Sequence, residues 1–453
     1  MRPIIAALVG AALVAGSVGC NKQTLASSPW TRWGITNPAA DGGAEADLVE
    51  AHRLLYETKF DMAKSAYQDL VKRFPQSAEA HLGLSIASRY MGQRDTAVAE
   101  ARAAFKLDSE AVGVLLNYGN LLLPMRTGPL PDMSDSARYA ESERCLLKAA
   151  ASAHPFSAHA HIELWASYMG QGQLSDARHQ AFDLGQKHYY HQPLLDFAYN
   201  LLVGLDTNAI LITNGDNDTY PLWALQNAPD PFRPDVTVAN LSLLNIPTVV
   251  RMMRDSLGLP VSIPDDMIDS LGTVEGSGGQ HVLPPAYQVI DNFSTNAVQK
   301  GRPVYLAVTV RGEVTGRFPE RLVLEGLVNR VTESKAAVPV DIDRITENLR
   351  KNYRLGWPKT LPPWPQNMSP LTRKVAPLAA NYANIYAQLA PRYDSLGRKA
   401  EAAAAWPQAV AWMLRADRED AAYALVEDWL RRSPDDAAAK KLKAKLEKTG
   451  KAD

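Results

Sequence analysis

The sequence predicts an α/β plus all-α protein. Helical repeats are expected at the N-terminus, a mainly parallel sheet with helices on both faces at the centre, and repeat-like helices at the C-terminus. Two observations predict this arrangement. Small and apolar residues recur with a period of 34 residues in the first half, where Ala97 follows Ala63 at that spacing. From about 205 to 332, short β-branched runs alternate with stretches of helical periodicity.

The length and the net charge of the chain limit the number of domains and the kinds of partner that we expect. The chain has 453 residues, enough for two or three domains, and a formal net charge of −1. Such a charge creates no field that would attract nucleic acid, so no nucleic-acid partner is expected. The predicted units are a signal peptide (1–20), a flexible tether (21–43), a repeat domain (44–204), an α/β domain (205–335) and a C-terminal helical domain (336–453).

The first 20 residues predict a targeting segment, with Arg2 followed by an apolar run. The run ends in Ser17-Val18-Gly19-Cys20, which resembles the end of a bacterial lipoprotein signal peptide, although Ser17 stands where leucine is usual. The resemblance implies cleavage before Cys20, lipid on its thiol and a membrane-anchored protein of the bacterial cell envelope that faces the periplasm. Asn21 lacks the aspartate of inner-membrane retention, which favours the outer membrane. The alternative is an ordinary secretory signal with an incidental cysteine.

Residues 44 to about 200 carry the repeat. Its positions are Ala63, Tyr67, Leu70 and Pro75, then Gly92, Ala97, Ala101 and Ala104, then Gly172, Ala177, Ala181 and Leu184. The spacing resembles that of the tetratricopeptide (TPR) repeat, with an insertion at about 124–136. The resemblance implies stacked helix pairs and a groove that binds a peptide or a partner protein. The alternative is a structural arm without a partner.

Residues 205–335 alternate between strand and helix patterns, which predicts a Rossmann-like domain with right-handed crossovers. The predicted strands are 209–213, 236–243, 304–310 and one within 322–331. The predicted helices are 220–227, 247–257 and 286–300, and the polar stretch 265–279 is predicted as a loop. Beyond this domain, helices are predicted at 341–353 and 375–397, followed by two repeat-like helices.

The stretch Asn208–Trp223, NAILITNGDNDTYPLW, is the best candidate site. An apolar run breaks at Asn214-Gly215 and continues into a helix start, with Asp218 or Thr219 as the expected N-cap and proline in the first turn. In open α/β sheets, ligands bind at such strand-to-helix turns. The loops 214–219, 243–245 and 309–313 are expected to converge there.

Six blocks in order resemble the soluble C-terminal module of bacterial membrane proteins similar to protein O-mannosyltransferases: NAILITNGDNDTYPLWALQ, RPDVTVANLSLLN, RPVYLAVTV, LVLEGLVNRV, VDIDRITENL and NYANIYAQLA. They cover about 205–430. Because the multi-pass membrane region of that family is absent here, its glycosyltransferase activity does not carry over. The matching polar positions, taken as ligand-binding candidates, are Asp216, Asn217, Asp218, Thr219, Asn240, Asn245 and Glu325.

Several functions remain open for this motif. Asp216 and Asp218 could hold a divalent cation, Mg²⁺ or Ca²⁺, or accept hydrogen bonds from a carbohydrate ligand. Aspartates two apart after a strand also occur in haloacid-dehalogenase-type phosphatases, but Tyr220 stands where that pattern has threonine or valine. The structural alternative is that the motif only caps the helix and fixes the turn. Whether the protein is an enzyme stays undecided.

The sequence therefore supports two hypotheses. The first is a lipid-anchored envelope protein whose TPR repeats form a protein-interaction scaffold and which carries an α/β ligand-binding module. The second is an envelope glycan- or glycoprotein-processing enzyme, or a sugar- or metal-binding accessory, that uses the Asp216–Thr219 turn.

Overall fold

The computed structural model describes residues 33–36, 43–154, 156–186, 190–271, 274–275, 282–283, 285–358 and 375–449. The predicted signal peptide, Cys20 and most of the predicted tether lie outside these ranges. Helix dominates the described residues, and a small mixed sheet of five strands lies among the helices. No helix in the described ranges is long and apolar enough to cross a membrane.

Ten helices precede the sheet in the described chain. They are α1 (Glu45–Tyr56), α2 (Phe60–Arg73), α3 (Ala78–Tyr90), α4 (Arg94–Leu107), α5 (Val112–Leu122), α6 (Pro124–Thr127), α7 (Asp135–Ala150), α8 (Ser157–Gly170), α9 (Leu174–Gln186) and α10 (Gln192–Val203). The pairs α1/α2, α3/α4, α5/α7 and α8/α9 pack together, and the first helices of successive pairs also touch. We call α1–α10 the helical arm.

Small residues permit this close packing, as the periodicity predicts. Ala63, Ala97 and Ala177 are completely buried. Gly83 on α3 lies against the ring of Tyr67 on α2, where an added Cβ would come within 2.1 Å of the ring. A larger side chain at these positions would therefore push the helices apart.

The predicted insertion is ordered by one buried arginine. Arg138 on α7 has no exposed surface and donates to the carbonyls of Leu122 (3.0 Å) and Gly128 (2.7 Å) and to the hydroxyl of Thr127 (2.5 Å). It also pairs with Asp135 at 2.9 Å. The guanidinium thereby fixes the segment that contains α6.

The central sheet has the strand order β2-β1-β5-β7-β6. The elements of this region are β1 (Ile210–Thr213), α11 (Tyr220–Gln226), β2 (Thr237–Asn240), α12 (Pro247–Leu257), α13 (Asp265–Ser270), β3 (Val274–Glu275), β4 (Val282–Leu283), α14 (Pro285–Gln299), β5 (Val304–Ala307), α15 (Gly312–Thr315), β6 (Leu322–Leu324) and β7 (Val328–Val331). Strand β1 pairs in parallel with β2 and β5, and all four of its residues are buried.

The mainly parallel, Rossmann-like sheet is not confirmed, because β7 pairs antiparallel with both β5 and β6. The single strand predicted within 322–331 is in fact a hairpin. Its turn contains Gly326, whose φ of +118° suits glycine and interrupts the extended run. The predicted loop 265–279 is also wrong in part, since it contains α13 and β3. Ile268 gives α13 an apolar side chain that is fully buried.

The C-terminal region is helical, as predicted. Its helices are α16 (Ile342–Glu347), α17 (Val375–Ser395), α18 (Lys399–Arg415), α19 (Glu419–Arg432) and α20 (Ala437–Thr449), with a π-helical turn at Asn348–Asn352. Asp341 caps α16 by accepting from the N–H of Arg344 at 2.9 Å. Helix α17 also touches α10 of the arm, and one continuous hydrophobic core links the arm, the sheet and these helices.

Candidate functional site

The turn after β1 is held together by Asp218. Its carboxylate accepts the N–H groups of Asn214 (2.9 Å) and Gly215 (2.7 Å) and the hydroxyl of Thr309, which follows β5. Only 3% of Asp218 is exposed. Burial raises the pKa of this carboxyl group above its usual value, while the three donors oppose the shift. Asp218 therefore joins the ends of two neighbouring strands.

Thr219 and Asn240 extend this network to β2. The Thr219 hydroxyl lies 2.7 Å from that of Thr213, bonds the carbonyl of Gly215 and accepts from the amide of Asn240 at 2.9 Å. The other end of Asn240 accepts the N–H groups of Ser242 (2.9 Å) and Leu243 (3.1 Å). The carboxyl ends of β1, β2 and β5 are thus tied together, as the predicted convergence of loops requires.

The predicted N-cap position is confirmed at Thr219, but the expected capping hydrogen bond is not formed, and the contacts agree with a turn that is fixed in another way. Thr219 occupies the N-cap position of α11, but its side chain makes no capping hydrogen bond. Asp218 bonds backward to the amides before it. The reason is the depth of the turn: both side chains are buried and reach the neighbouring strands before they reach the first turn of the helix.

Asp216 and Asn217 form the outer side of the turn and are half-buried. Asp216 lies within electrostatic range of Arg126, Tyr190 and Tyr220. Burial, with a smaller contribution from Asp216, raises the pKa of both tyrosines far above the usual value, so their hydroxyls remain protonated. Asp216 and Asn217 are the two members of the motif that a ligand can reach most readily.

The remaining predicted site residues lie apart from this network. Asn245 bonds the carbonyls of Leu241 (3.3 Å) and Ser242 (3.1 Å) and accepts the N–H of Ala286 at 3.1 Å. It therefore anchors α14. Glu325 pairs with Arg330 at 2.5 Å.

The surroundings of Glu325 belong to a different network. Burial raises the pKa of its carboxyl group, and the nearby charges are Arg330, Arg344 and Asp206. Asp206 lies before β1 and accepts from Tyr305 at 2.7 Å and from Arg344 at 3.1 Å. The structure does not bring Glu325 to the turn.

The helical arm covers the helix that begins at the turn. Trp165 of α8 stacks on Trp223 with ring centres 3.9 Å apart and meets the edge of Tyr220 at 5.2 Å. Arg126 of α6 pairs with Glu163 of α8 at 3.0 Å. Neither Arg126 nor Glu163 could be recognised from the sequence, because nothing local indicates a contact across 37 residues.

A divalent cation gains no support from this geometry. Both oxygens of Asp218 already accept hydrogen bonds from N–H or O–H groups. Across the described ranges, no three His, Cys, Asp or Glu side chains gather in a way that could hold a metal ion. A cavity of about 230 Å³ lies elsewhere, between α17, α18 and α19, beside Trp406 and Trp429.

Comparison with known proteins links this region to a family. Residues 194–273 match the family model described as TMEM260-associated domain 2. TMEM260 belongs to a protein O-mannosyltransferase-like family, so the match supports the resemblance over α10, β1, the turn, α11, β2 and α12. The matched residues make up less than a fifth of the chain. A search of curated proteins finds no match.

Proposed function

We propose that this protein is a lipid-anchored scaffold of the bacterial cell envelope whose helical arm consists of TPR-like repeats and binds a partner polypeptide. The α/β module, whose parallel strands β2, β1 and β5 resemble half of a Rossmann sheet, is proposed as a second ligand-binding unit. Lipid on Cys20 and an outer-membrane, periplasm-facing location are part of the proposal. Incorporation of a labelled fatty acid that Cys20→Ser abolishes would support the anchor, and unchanged incorporation would contradict it.

One observation carries the polypeptide-binding proposal. The first helices of three successive pairs, α3, α5 and α8, together with the short helix α6, carry a row of polar side chains that ends beside the turn. Arg89 bonds Asn120 at 2.7 Å, Asn117 bonds Ser85 at 2.8 Å, and Glu163 bonds Arg126. We call this set the polar row: Ser85, Ser88, Arg89, Asn117, Asn120, Arg126 and Glu163.

Several atoms of the polar row have no hydrogen-bond partner. They are Ser88 Oγ, Asn117 Oδ1, Asn120 Nδ2 and Arg126 Nε, and all four are buried. A buried polar atom without a partner costs about 1–3 kcal/mol. An extended polypeptide carries one N–H and one C=O per residue. It could satisfy these atoms if it entered between the partly exposed Arg89 and Arg126, whose side chain is 11% exposed. Binding of the polypeptide would then remove the free-energy cost of these unpaired atoms.

Site-specific photo-crosslinking tests this proposal. Tyr90 lies at the end of α3, is half-exposed and stacks on Phe60, so a benzoylphenylalanine at position 90 keeps an aromatic ring in place. Irradiation of cells that carry this variant should yield a discrete adduct between the protein and one polypeptide. The partner is then identified by mass spectrometry.

The matched controls carry the same photoreactive group on second helices. Met62 on α2 is 52% exposed and Leu147 on α7 is 46% exposed, which makes both tolerant of substitution. Neither position should give the adduct seen from position 90. An identical adduct pattern from all three positions, or none from position 90, would contradict binding along the polar row.

A second candidate function, glycan or glycoprotein handling at the turn, is favoured by the family match over residues 194–273. Asp216 is the residue to test, because its neighbour Asp218 is part of the structural network. Asp216→Asn should abolish any thermal stabilisation by envelope oligosaccharides and leave the melting temperature of the free protein unchanged. Stabilisation that persists in the variant, or that no oligosaccharide produces in the wild type, counts against this function.

A further inference from the structure

A short segment of the predicted tether is docked on the helical arm. The carbonyl of Trp33 accepts the N–H of Gly113 at 2.8 Å. Three residues later, the N–H and hydroxyl of Thr36 donate to the two oxygens of Asp108, at 2.7 and 2.9 Å. The tether therefore differs from the flexible linker that its composition predicts, at least over Trp33–Thr36.

The side chain of Trp33 fills a defined groove. Only 3% of it is exposed, and its ring centre lies 4.5 Å from that of His52. Gly113 forms the opposite wall, where an added Cβ would lie 2.4 Å from the Cβ of Trp33. Glycine is therefore required at position 113 for the segment to approach. We call the space between His52, Asp108 and Gly113 the Trp33 groove.

The groove is built by the arm, while the segment is strained to fit it. Asp108 is 5% exposed and also accepts the N–H of Ala111 at 3.0 Å, which fixes the carboxylate at the start of α5. Trp33 and Gly34 have φ of +42° and +68°, two consecutive left-handed residues. A tryptophan rarely adopts this conformation, so tertiary contacts, and not local preference, hold the segment in place.

These contacts are those of a peptide ligand on a receptor. The segment is recognised through a main-chain carbonyl, a main-chain N–H, an aromatic side chain in a pocket and a hydroxyl. We infer that the Trp33 groove is a peptide-binding site for an aromatic residue followed by glycine, any residue and a serine or threonine, and that the chain's own tether occupies it. The inference rests on the proposed polypeptide-binding role of the arm and assigns that role a second, self-occupied site.

Binding of the segment in trans tests the inference. The probe is a fluorescent peptide of residues 31–38, added to full-length protein and followed by fluorescence anisotropy. Trp33→Ala in the protein empties the groove, so this variant should bind the peptide at least about tenfold more tightly than the wild type, whose groove is occupied. Thr36→Ala, at an exposed position, should loosen the segment and give a smaller gain without affecting the fold.

Two controls localise the binding. Asp108→Asn, added to Trp33→Ala, keeps an oxygen for Ala111 but loses an acceptor for the peptide, and should weaken binding about tenfold. A peptide with alanine in place of Gly34 should bind about five- to thirtyfold more weakly, because L-residues disfavour the required φ. Equal binding by wild type and both groove-opening variants, or binding unaffected by Asp108→Asn, would overturn the inference. The crosslinking experiment at position 90 does not involve the Trp33 groove. Its result can therefore contradict the proposed binding along the polar row independently of the peptide-binding result.

Discussion

Replacing Asp218 with alanine is expected to lower the free energy of unfolding by about 4 kcal/mol. The substitution leaves the N–H groups of Asn214 and Gly215 and the hydroxyl of Thr309 without their acceptor in a buried turn. It also removes the side-chain link between the ends of β1 and β5. Urea denaturation, followed by the fluorescence of the nine tryptophans, measures the change.

Two further variants separate the hydrogen bonds from the loss of a charge. Asp218→Asn keeps one acceptor oxygen and should cost less than alanine, about 2 kcal/mol. Asp266→Ala removes an exposed carboxylate from α13 and should change stability by less than about 0.5 kcal/mol. If Asp218→Ala proves as mild as Asp266→Ala, Asp218 does not hold the turn together.

The second large effect is expected at Arg138. Arg138→Met keeps an unbranched, apolar stem in the core but removes every hydrogen bond of the guanidinium. The carbonyls of Leu122 and Gly128 and the hydroxyl of Thr127 lose their donor, and we expect a loss of about 3 kcal/mol. The segment with α6 should become susceptible to proteolysis, and Arg126 should lose its position in the polar row.

Arg144 provides the matched control on the same helix. It is 54% exposed and pairs with Glu141 one turn away. Because exposed ion pairs contribute little, Arg144→Met should cost less than about 0.5 kcal/mol and leave the proteolysis pattern unchanged. Equal effects of the two substitutions, measured by urea denaturation and limited proteolysis, would contradict the role assigned to Arg138.

Elements with strong local signals could be predicted from the sequence. Helix Pro247–Leu257 was predicted at its observed bounds, because proline suits its first turn and Gly258 ends it in the left-handed conformation. The buried strand Ile210–Thr213 was predicted from its β-branched run and the Asn-Gly break after it. The packed helix pairs of the arm were also predicted, from the helical periodicity. Small residues at a fixed spacing leave the helices few other ways to pack.

The parts that could not be predicted depend on contacts between distant residues. Thr309 meets Asp218 across 91 residues, and Thr36 meets Asp108 across 72. The hairpin that turns at Gly326 brings β7 alongside β5, where the two strands pair antiparallel. Local sequence patterns do not encode this pairing. Glu325 lies between two strands of the same sequence block, but the charges around it include Arg344 and Asp206, which are far from it in the sequence.

The central claim is that a partner polypeptide binds along the polar row. Its most direct test is the affinity of the crosslinked partner for a variant that lacks one oxygen atom of this row. Ser88→Ala removes only a buried hydroxyl that has no partner in the free chain, so it should not destabilise the protein. We expect it to weaken partner binding about three- to tenfold by calorimetry, the effect of one lost hydrogen bond. The control, Ser65→Ala on the exposed face of α2, should leave the affinity unchanged. Equal affinities of wild type and Ser88→Ala would contradict a partner bound along the polar row.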